Sequence, residues 1–199
     1  LLTGIRGVGK TTTARLIAKA LNCESNNNNK INCSKDSFCS TCKEINNSSH
    51  IDILEMDAAS KTGIDDVREL IENSKYSPTS AKFKIFIIDE VHMLSNSAFN
   101  ALLKTIEEPP EYVKFIFCTT ELNKIPITIL SRCQKFELHR VEKNKIILNL
   151  KKIAESEKIK VSDSALINIA RFSEGSIRDS ITIFEQTILS ADNEKIIEE

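Results

Sequence analysis

Near the start of the chain, Gly4-Ile5-Arg6-Gly7-Val8-Gly9-Lys10-Thr11 spells G-x-x-x-x-G-K-T. This spacing suits the holding of a polyphosphate. Gly4, Gly7 and Gly9 let successive backbone N–H groups turn inward around an anion, and a helix starting at the loop's end points its positive pole at the same place. Lys10 then reaches the β- and γ-phosphates, and the Thr11 hydroxyl is set to ligate Mg²⁺. Val8 and Thr12 complete the residues expected to touch the nucleotide. The bland alternative, a glycine-rich turn before a helix, has little room beside the full pattern.

A second acidic element matches the first. Ile85-Phe86-Ile87-Ile88-Asp89-Glu90 puts two carboxylates at the end of an apolar run, where α/β sheets bind ligands. Asp89 is expected to hold Mg²⁺ and Glu90 to polarise an attacking water, so hydrolysis of a nucleoside triphosphate, beyond simple binding, is the expectation. A solvated acidic strand end is the other reading, and pairing with the phosphate loop makes it the lesser one.

Cys23, Cys33, Cys39 and Cys42 follow C-x9-C-x5-C-x2-C. Four thiolates in a polar insert suit a closed tetrahedral Zn²⁺ site that fixes a segment without its own core; free thiols are the alternative. Cys118 and Cys133 lie apart and read as ordinary thiols. His50, His92 and His139 have no ligand or catalytic spacing and read as structural or surface residues. Ser131-Arg132-Cys133 and Gly175-Ser176-Ile177-Arg178-Asp179 carry no meaning by themselves. An arginine such as Arg132 is ordinarily a solvated charge or an ion-pair partner.

These residues need elements to place them. Thr11 to Leu21 has helical apolar spacing; residues 22–50 form an Asn-rich, cysteine-bearing insert with little to bury. Ile51 to Met56 reads as a strand, Asp65 to Ser74 as a helix and Pro78 to Ala81 as a turn. Lys84 to Asp89 and Val113 to Thr119 read as buried strands, with a Ser95-capped helix between them that stops near Glu107 before Pro109-Pro110. This alternation predicts a doubly wound parallel α/β sheet. After about Val141 the period turns helical and predicts three helices.

The chain has 199 residues, 41% of them hydrophobic and 28% charged, with net charge −1. No strongly basic surface advertises nucleic acid, and the apolar runs are far too short to cross a bilayer. Only Leu1-Leu2-Thr3 precedes the phosphate loop, so the chain reads as a piece of a longer fold.

Together these features resemble the AAA+ ATPase subunits of the tau/gamma family in bacterial DNA polymerase III clamp loaders. The resemblance covers essentially the whole chain. It rests on the phosphate loop, the cysteine insert, Asp57-Ala58-Ala59-Ser60, Asp89-Glu90-Val91-His92-Met93-Leu94 and the run from Asn100 to Pro110. Thr119-Thr120, Ser131-Arg132-Cys133 and Gly175 to Asp179 complete it. It implies an AAA+ domain over 1–142 with a zinc insert at about 23–42, then a helical lid over 143–199.

The resemblance also implies roles. Thr120 would read the γ-phosphate, Arg178 would link the lid to nucleotide, and Arg132 would act in trans, entering a neighbouring subunit's ATP site. Lys61, Thr62, Arg68 and Lys104 would track the DNA backbone. Implied partners are delta, delta-prime and further tau/gamma subunits, the sliding clamp and primer-template DNA, in the cytoplasm and without membrane. The family's N-terminal adenine-holding segment and C-terminal collar are expected to be missing, and the insert to be lengthened around Cys33 to Cys39. A non-hydrolysing delta-prime-like subunit and another DNA-remodelling AAA+ ATPase, such as a branch-migration motor, are the alternatives.

Overall fold

The computed structural model describes residues 1–27, 30–31, 33 and 38–190. Residues 34–37, where the insert is expected to be lengthened, and 191–199, the end of the expected lid, lie outside the described residues. In chain order the elements are β1 (Leu2–Gly4), α1 (Lys10–Asn22), β2 (Asn26–Asn27), β3 (Lys30–Ile31), α2 (Ser40–Asn46), β4 (Ile53–Asp57) and α3 (Ile64–Ser74). Next come β5 (Lys84–Asp89), α4 (Asn96–Glu107), β6 (Val113–Thr119), α5 (Ile127–Leu130) and β7 (Phe136–Leu138). The last three helices are α6 (Lys143–Glu157), α7 (Asp163–Phe172) and α8 (Ile177–Ser190).

Ile85, Phe86, Ile87 and Ile88 are all fully buried, which fits a strand covered on both faces. The sheet order is β4-β5-β6-β1-β7, with β4–β5, β5–β6 and β1–β6 paired in parallel. Strands that pair in parallel must be joined by crossovers, and the helices between them supply these. The core gathers Phe86 and Ile88 with Val67, Leu70, Ala98, Leu102 and Phe117 from the helices and the neighbouring strand. Asn22, at the end of α1, is buried, and its amide both donates to the Phe83 carbonyl and accepts from the Phe83 N–H, each at 2.8 Å.

Serines cap two helices, the first of them as expected. Ser95 caps α4 by accepting from Ala98 N–H at 3.2 Å, and Ser162 caps α7 by accepting from Ala165 N–H at 3.3 Å. The strand expected from Ile51 begins instead at Ile53. Just before it, the Asp52 carbonyl still accepts from the Ile85 N–H at 2.9 Å, while its buried carboxylate accepts from the N–H groups of Thr79, Ser80 and Ala81 at 2.8–2.9 Å and so ties the start of the strand to that turn. The insert is also less coreless than composition suggests, because α2 buries Thr41, Cys42 and Ile45.

By internal packing the chain divides into two units, Leu1–Thr3 with Lys10–Glu137, and Gly4–Gly9 with Leu138 onward. The second has its own core, built from Ile146, Leu150, Leu166, Ile169 and Phe184 of α6, α7 and α8.

Candidate active site and cysteine cluster

Register places the acidic strand end. Asp57 lies opposite Asp89 between β4 and β5, and Thr3 lies opposite Thr119 between β1 and β6. The carboxyl ends of these strands therefore form one row, the edge at which open α/β sheets bind ligands. Asp89 is fixed from two sides. Its Oδ2 accepts from the Thr11 hydroxyl at 2.5 Å, and its Oδ1 accepts from the Glu90 N–H at 2.9 Å. A hydroxyl and a carboxylate in contact are a hard oxygen pair of the kind Mg²⁺ selects. Lys10 and Thr11 open α1, and Lys10 is buried.

Glu90 has a left-handed backbone, φ 45° and ψ 44°, which L residues adopt at a cost of about 1 kcal/mol or more. That turn brings its side chain to β6: Glu90 Oε2 accepts from the Thr120 N–H at 3.2 Å and the Thr120 hydroxyl at 3.0 Å. A tight 3₁₀ turn, Val91–Met93, follows and sends His92 inward, leaving its side chain 5% exposed. The imidazole Nδ1 lies 3.0 Å from Thr119 Oγ1 and 3.5 Å from Glu90 Oε2, and Nε2 lies 3.5 Å from Glu121 Oε1.

Arg132 follows α5 and is half-exposed. Its guanidinium donates to the Thr128 carbonyl at 2.6 Å and pairs with Glu107. Within the single chain the ordinary role of an ion-pair partner is thus what this arginine fills. Arg178 is exposed in the first turn of α8. There the carbonyl of Gly7 accepts from the backbone N–H groups of Ile177 and Arg178 at 3.1 and 3.2 Å. Gly7 has φ +75°, and a Cβ on it would overlap Ser176 Oγ and approach Arg178 Cβ to 3.0 Å.

The four cysteines converge, with all Sγ atoms within 4.8 Å of one another. Tetrahedral Zn–S bonds of ~2.3 Å need sulfurs ~3.8 Å apart, so the cluster fits. Backbone N–H groups of Cys39 and Cys42 point at Cys33 Sγ and Cys39 Sγ, at 3.4 and 3.5 Å, as donors to thiolates do. The Cys39 N–H brings the Cys33 thiol down to about 7, whereas burial raises Cys23 and Cys42. Cys118, fully buried, is pushed up to about 12 by burial and is an inert packing residue.

Of the expected DNA-tracking residues, Lys61, Thr62, Arg68 and Lys104 are all exposed. Asp57 builds the turn that carries the first two, accepting from Ala59 N–H through Oδ1 at 2.9 Å. Arg68 pairs with Asp65 on α3 at 3.0 Å. Among the described residues, no helix is long and apolar enough to cross a membrane.

Residues 1–142 match the family model for the DNA polymerase III delta subunit, and residues 145–193 match that for the ATPase lid domain of a DNA polymerase III clamp loader subunit. The chain belongs to the DNA polymerase III clamp-loader subunits. It is 47% identical to the DNA polymerase III subunit tau/gamma of Haemophilus influenzae over 194 residues, covering 98% of this chain and 28% of that one. It is 50% identical to the gamma/tau subunit of Mycoplasma genitalium over 196 residues, 98% of this chain and 32% of that one. It thus spans about a third or less of these curated relatives. Among solved structures it is similar to RuvB of Thermotoga maritima, a Holliday junction branch migration motor, with TM-score 0.66 at 18% identity over 98% of this chain and 57% of that one. At that identity the likeness shows the AAA+ fold alone, so it does not favour a branch-migration role.

Spacing in the sequence singles out the phosphate loop, Asp89 and Glu90 and leaves His92 among the structural or surface residues, whereas the structure sets it beside Glu90. The burial of His92 against three oxygens comes from the 3₁₀ turn after Glu90, and no spacing in the sequence signals that turn.

Proposed function

We propose that the chain is the ATP-hydrolysing part of a clamp-loader subunit, with a nucleotide-binding domain over 1–142 and a helical lid over 143–199. One observation carries this reading: the Thr11 hydroxyl on the Asp89 carboxylate, next to Glu90, in a chain whose phosphate-loop sequence is complete. Gly4, Gly7, Val8, Gly9, Lys10, Thr11 and Thr12 bind the triphosphate through backbone N–H groups, ammonium and hydroxyls. Thr11 and Asp89 would hold Mg²⁺, which when bound neutralises phosphate charge. Glu90 orients and polarises the attacking water through the carboxylate that Thr120 anchors. Arg178 ties the lid to the nucleotide state.

Arg132 acts in trans. In the assembled complex it leaves Glu107 and enters the ATP site of the next subunit, so each site is composite. Exchange of an exposed ion pair for a phosphate partner costs little. Cys23, Cys33, Cys39 and Cys42 would hold one structural Zn²⁺. The wider reading is that ATP binding and hydrolysis open a sliding clamp and release it on primed DNA, in the cytoplasm, alongside delta, delta-prime and further tau/gamma subunits. Lys61, Thr62, Arg68 and Lys104 then meet phosphates without sequence preference.

The test is ATP binding and turnover by the full-length protein with its partner subunits, clamp and primed DNA. Tight Mg·ATP binding with DNA-stimulated turnover is expected. Absence of ATP affinity would sink the enzyme reading in favour of a delta-prime-like structural subunit. Turnover without clamp loading would point to a different DNA-remodelling motor.

A further inference from the structure

We propose that His92 is a positioning residue for hydrolysis, clasping the end of β5 to the end of β6 so that Glu90 presents one defined oxygen to water. This rests on the reading of Glu90 as the residue that polarises water. The observations are geometric. Three contacts hold the Glu90 carboxylate at Oε2: the Thr120 N–H, the Thr120 hydroxyl and, at 3.5 Å, His92 Nδ1. With Oε2 engaged in this way, Oε1 is the oxygen this arrangement assigns to a reacting water.

The same ring reaches β6. His92 Nδ1 is 3.0 Å from Thr119 Oγ1, which also accepts from the Glu121 N–H at 3.0 Å, and Nε2 faces the Glu121 carboxylate. Thr119 is fully buried and pairs in register with β1 at Thr3, so it is a fixed anchor. Glu90 sits in an unfavourable left-handed conformation, and such a conformation persists only where its surroundings over-determine it. A polar ring enclosed with three oxygens around it provides that determination; an apolar side chain of similar size fills the space without it.

The experiment compares His92→Leu, His92→Asn and Thr119→Val in the full-length protein assembled with its partner subunits, with Mg·ATP as substrate and primed DNA and clamp present. His92→Leu should lower kcat by at least ~10-fold while KM for ATP stays within ~3-fold, because the loss is in geometry and not in phosphate binding. His92→Asn, whose amide reaches Thr119, should recover most of the rate. Thr119→Val should match His92→Leu, and the double variant should lose no more than either alone, as members of one unit do. Full turnover by His92→Leu, equal losses in the Leu and Asn variants, or additive losses in the double variant would overturn the inference. Should His92→Leu not fold, the Thr119→Val and His92→Asn rates decide by the same criteria. Glu90→Gln, run alongside, separates the two readings. If it keeps normal turnover, the role of Glu90 falls and this inference with it. If it is inactive while His92→Leu is not, only the role of His92 falls.

Discussion

Arg132 holds two potential identities at once. In the isolated chain it rests on Glu107 and the Thr128 carbonyl, half-exposed, in a pairing of the kind that contributes at most about 1 kcal/mol. An arginine so lightly held is available to a stronger anion. We therefore expect Arg132→Ala to leave folding and ATP affinity almost unchanged, and to cut DNA-stimulated turnover of the assembled complex by ~10³-fold or more. Steady-state hydrolysis with and without partner subunits checks this, and normal turnover in the assembly would remove Arg132 from the mechanism. The sequence alone could not choose between these identities, because an arginine after a short helix carries no local signature.

At the scale of elements, two segments depend on polar anchoring where apolar contacts are few. The turn at residues 79–81 hangs on Asp52. Burial alone would raise the Asp52 pKa, but the N–H groups of Ser80, Thr79 and Ala81 and the Ser80 hydroxyl outweigh it and hold it below the ordinary carboxylate range. A carboxyl lowered in the folded state contributes stability that is fully present above its unfolded value of ~3.9 and is lost as pH falls from there toward the folded value. Asp52→Asn should therefore cost about 3 kcal/mol at neutral pH and show a shallower loss of stability on acidification. Urea unfolding at pH 7 and below pH 4 measures both, and parallel acid profiles for the two proteins would refute the assignment.

The second such segment is the cysteine insert, where α2 has only seven residues and is capped by Cys39. Purified protein should carry one zinc per chain by metal analysis. Stripping it with a strong chelator should lower the thermal midpoint by ~5 °C or more, since the metal stands in for a core. Zinc-free protein of unchanged midpoint would leave four free thiols. Spacing singled out these four cysteines through the close C-x2-C pair, and the structure brings all four Sγ atoms within 4.8 Å of one another. Spacing did not reveal α2, because a seven-residue helix gives too few turns for an apolar period to register.

Across the whole molecule, what could be read from the sequence tracks how locally each feature is encoded. Lys84–Asp89 and Val113–Thr119 are predicted with the boundaries observed, since buried parallel strands are near-continuous apolar runs. β7 escaped notice because Phe136-Glu137-Leu138 is three residues long and owes its existence to neighbours, with Phe136 N–H donating to the Leu1 carbonyl at 2.9 Å. The same division holds in the site. Thr11 and Asp89 could be paired from motif knowledge, whereas the approach of Thr120 to Glu90 depends on a backbone conformation that no residue type announces.

The carbonyl of Gly7 that caps α8 has a consequence for how loss-of-function variants are diagnosed. Adding a single methyl at Gly7 forces Ser176 Oγ aside, and that oxygen is what accepts from the Asp179 N–H at 3.2 Å, so the helix loses its cap as the loop loses its shape. Gly7→Ala should thus lower the stability of the helical unit by roughly 1–3 kcal/mol as well as weakening ATP binding. Hydrogen exchange of the α8 amides in nucleotide-free protein tests this, and unchanged protection there would confine the damage to the loop. A defect that an activity screen would file under nucleotide affinity would, at this one position, begin as a folding lesion more than 160 residues along the chain.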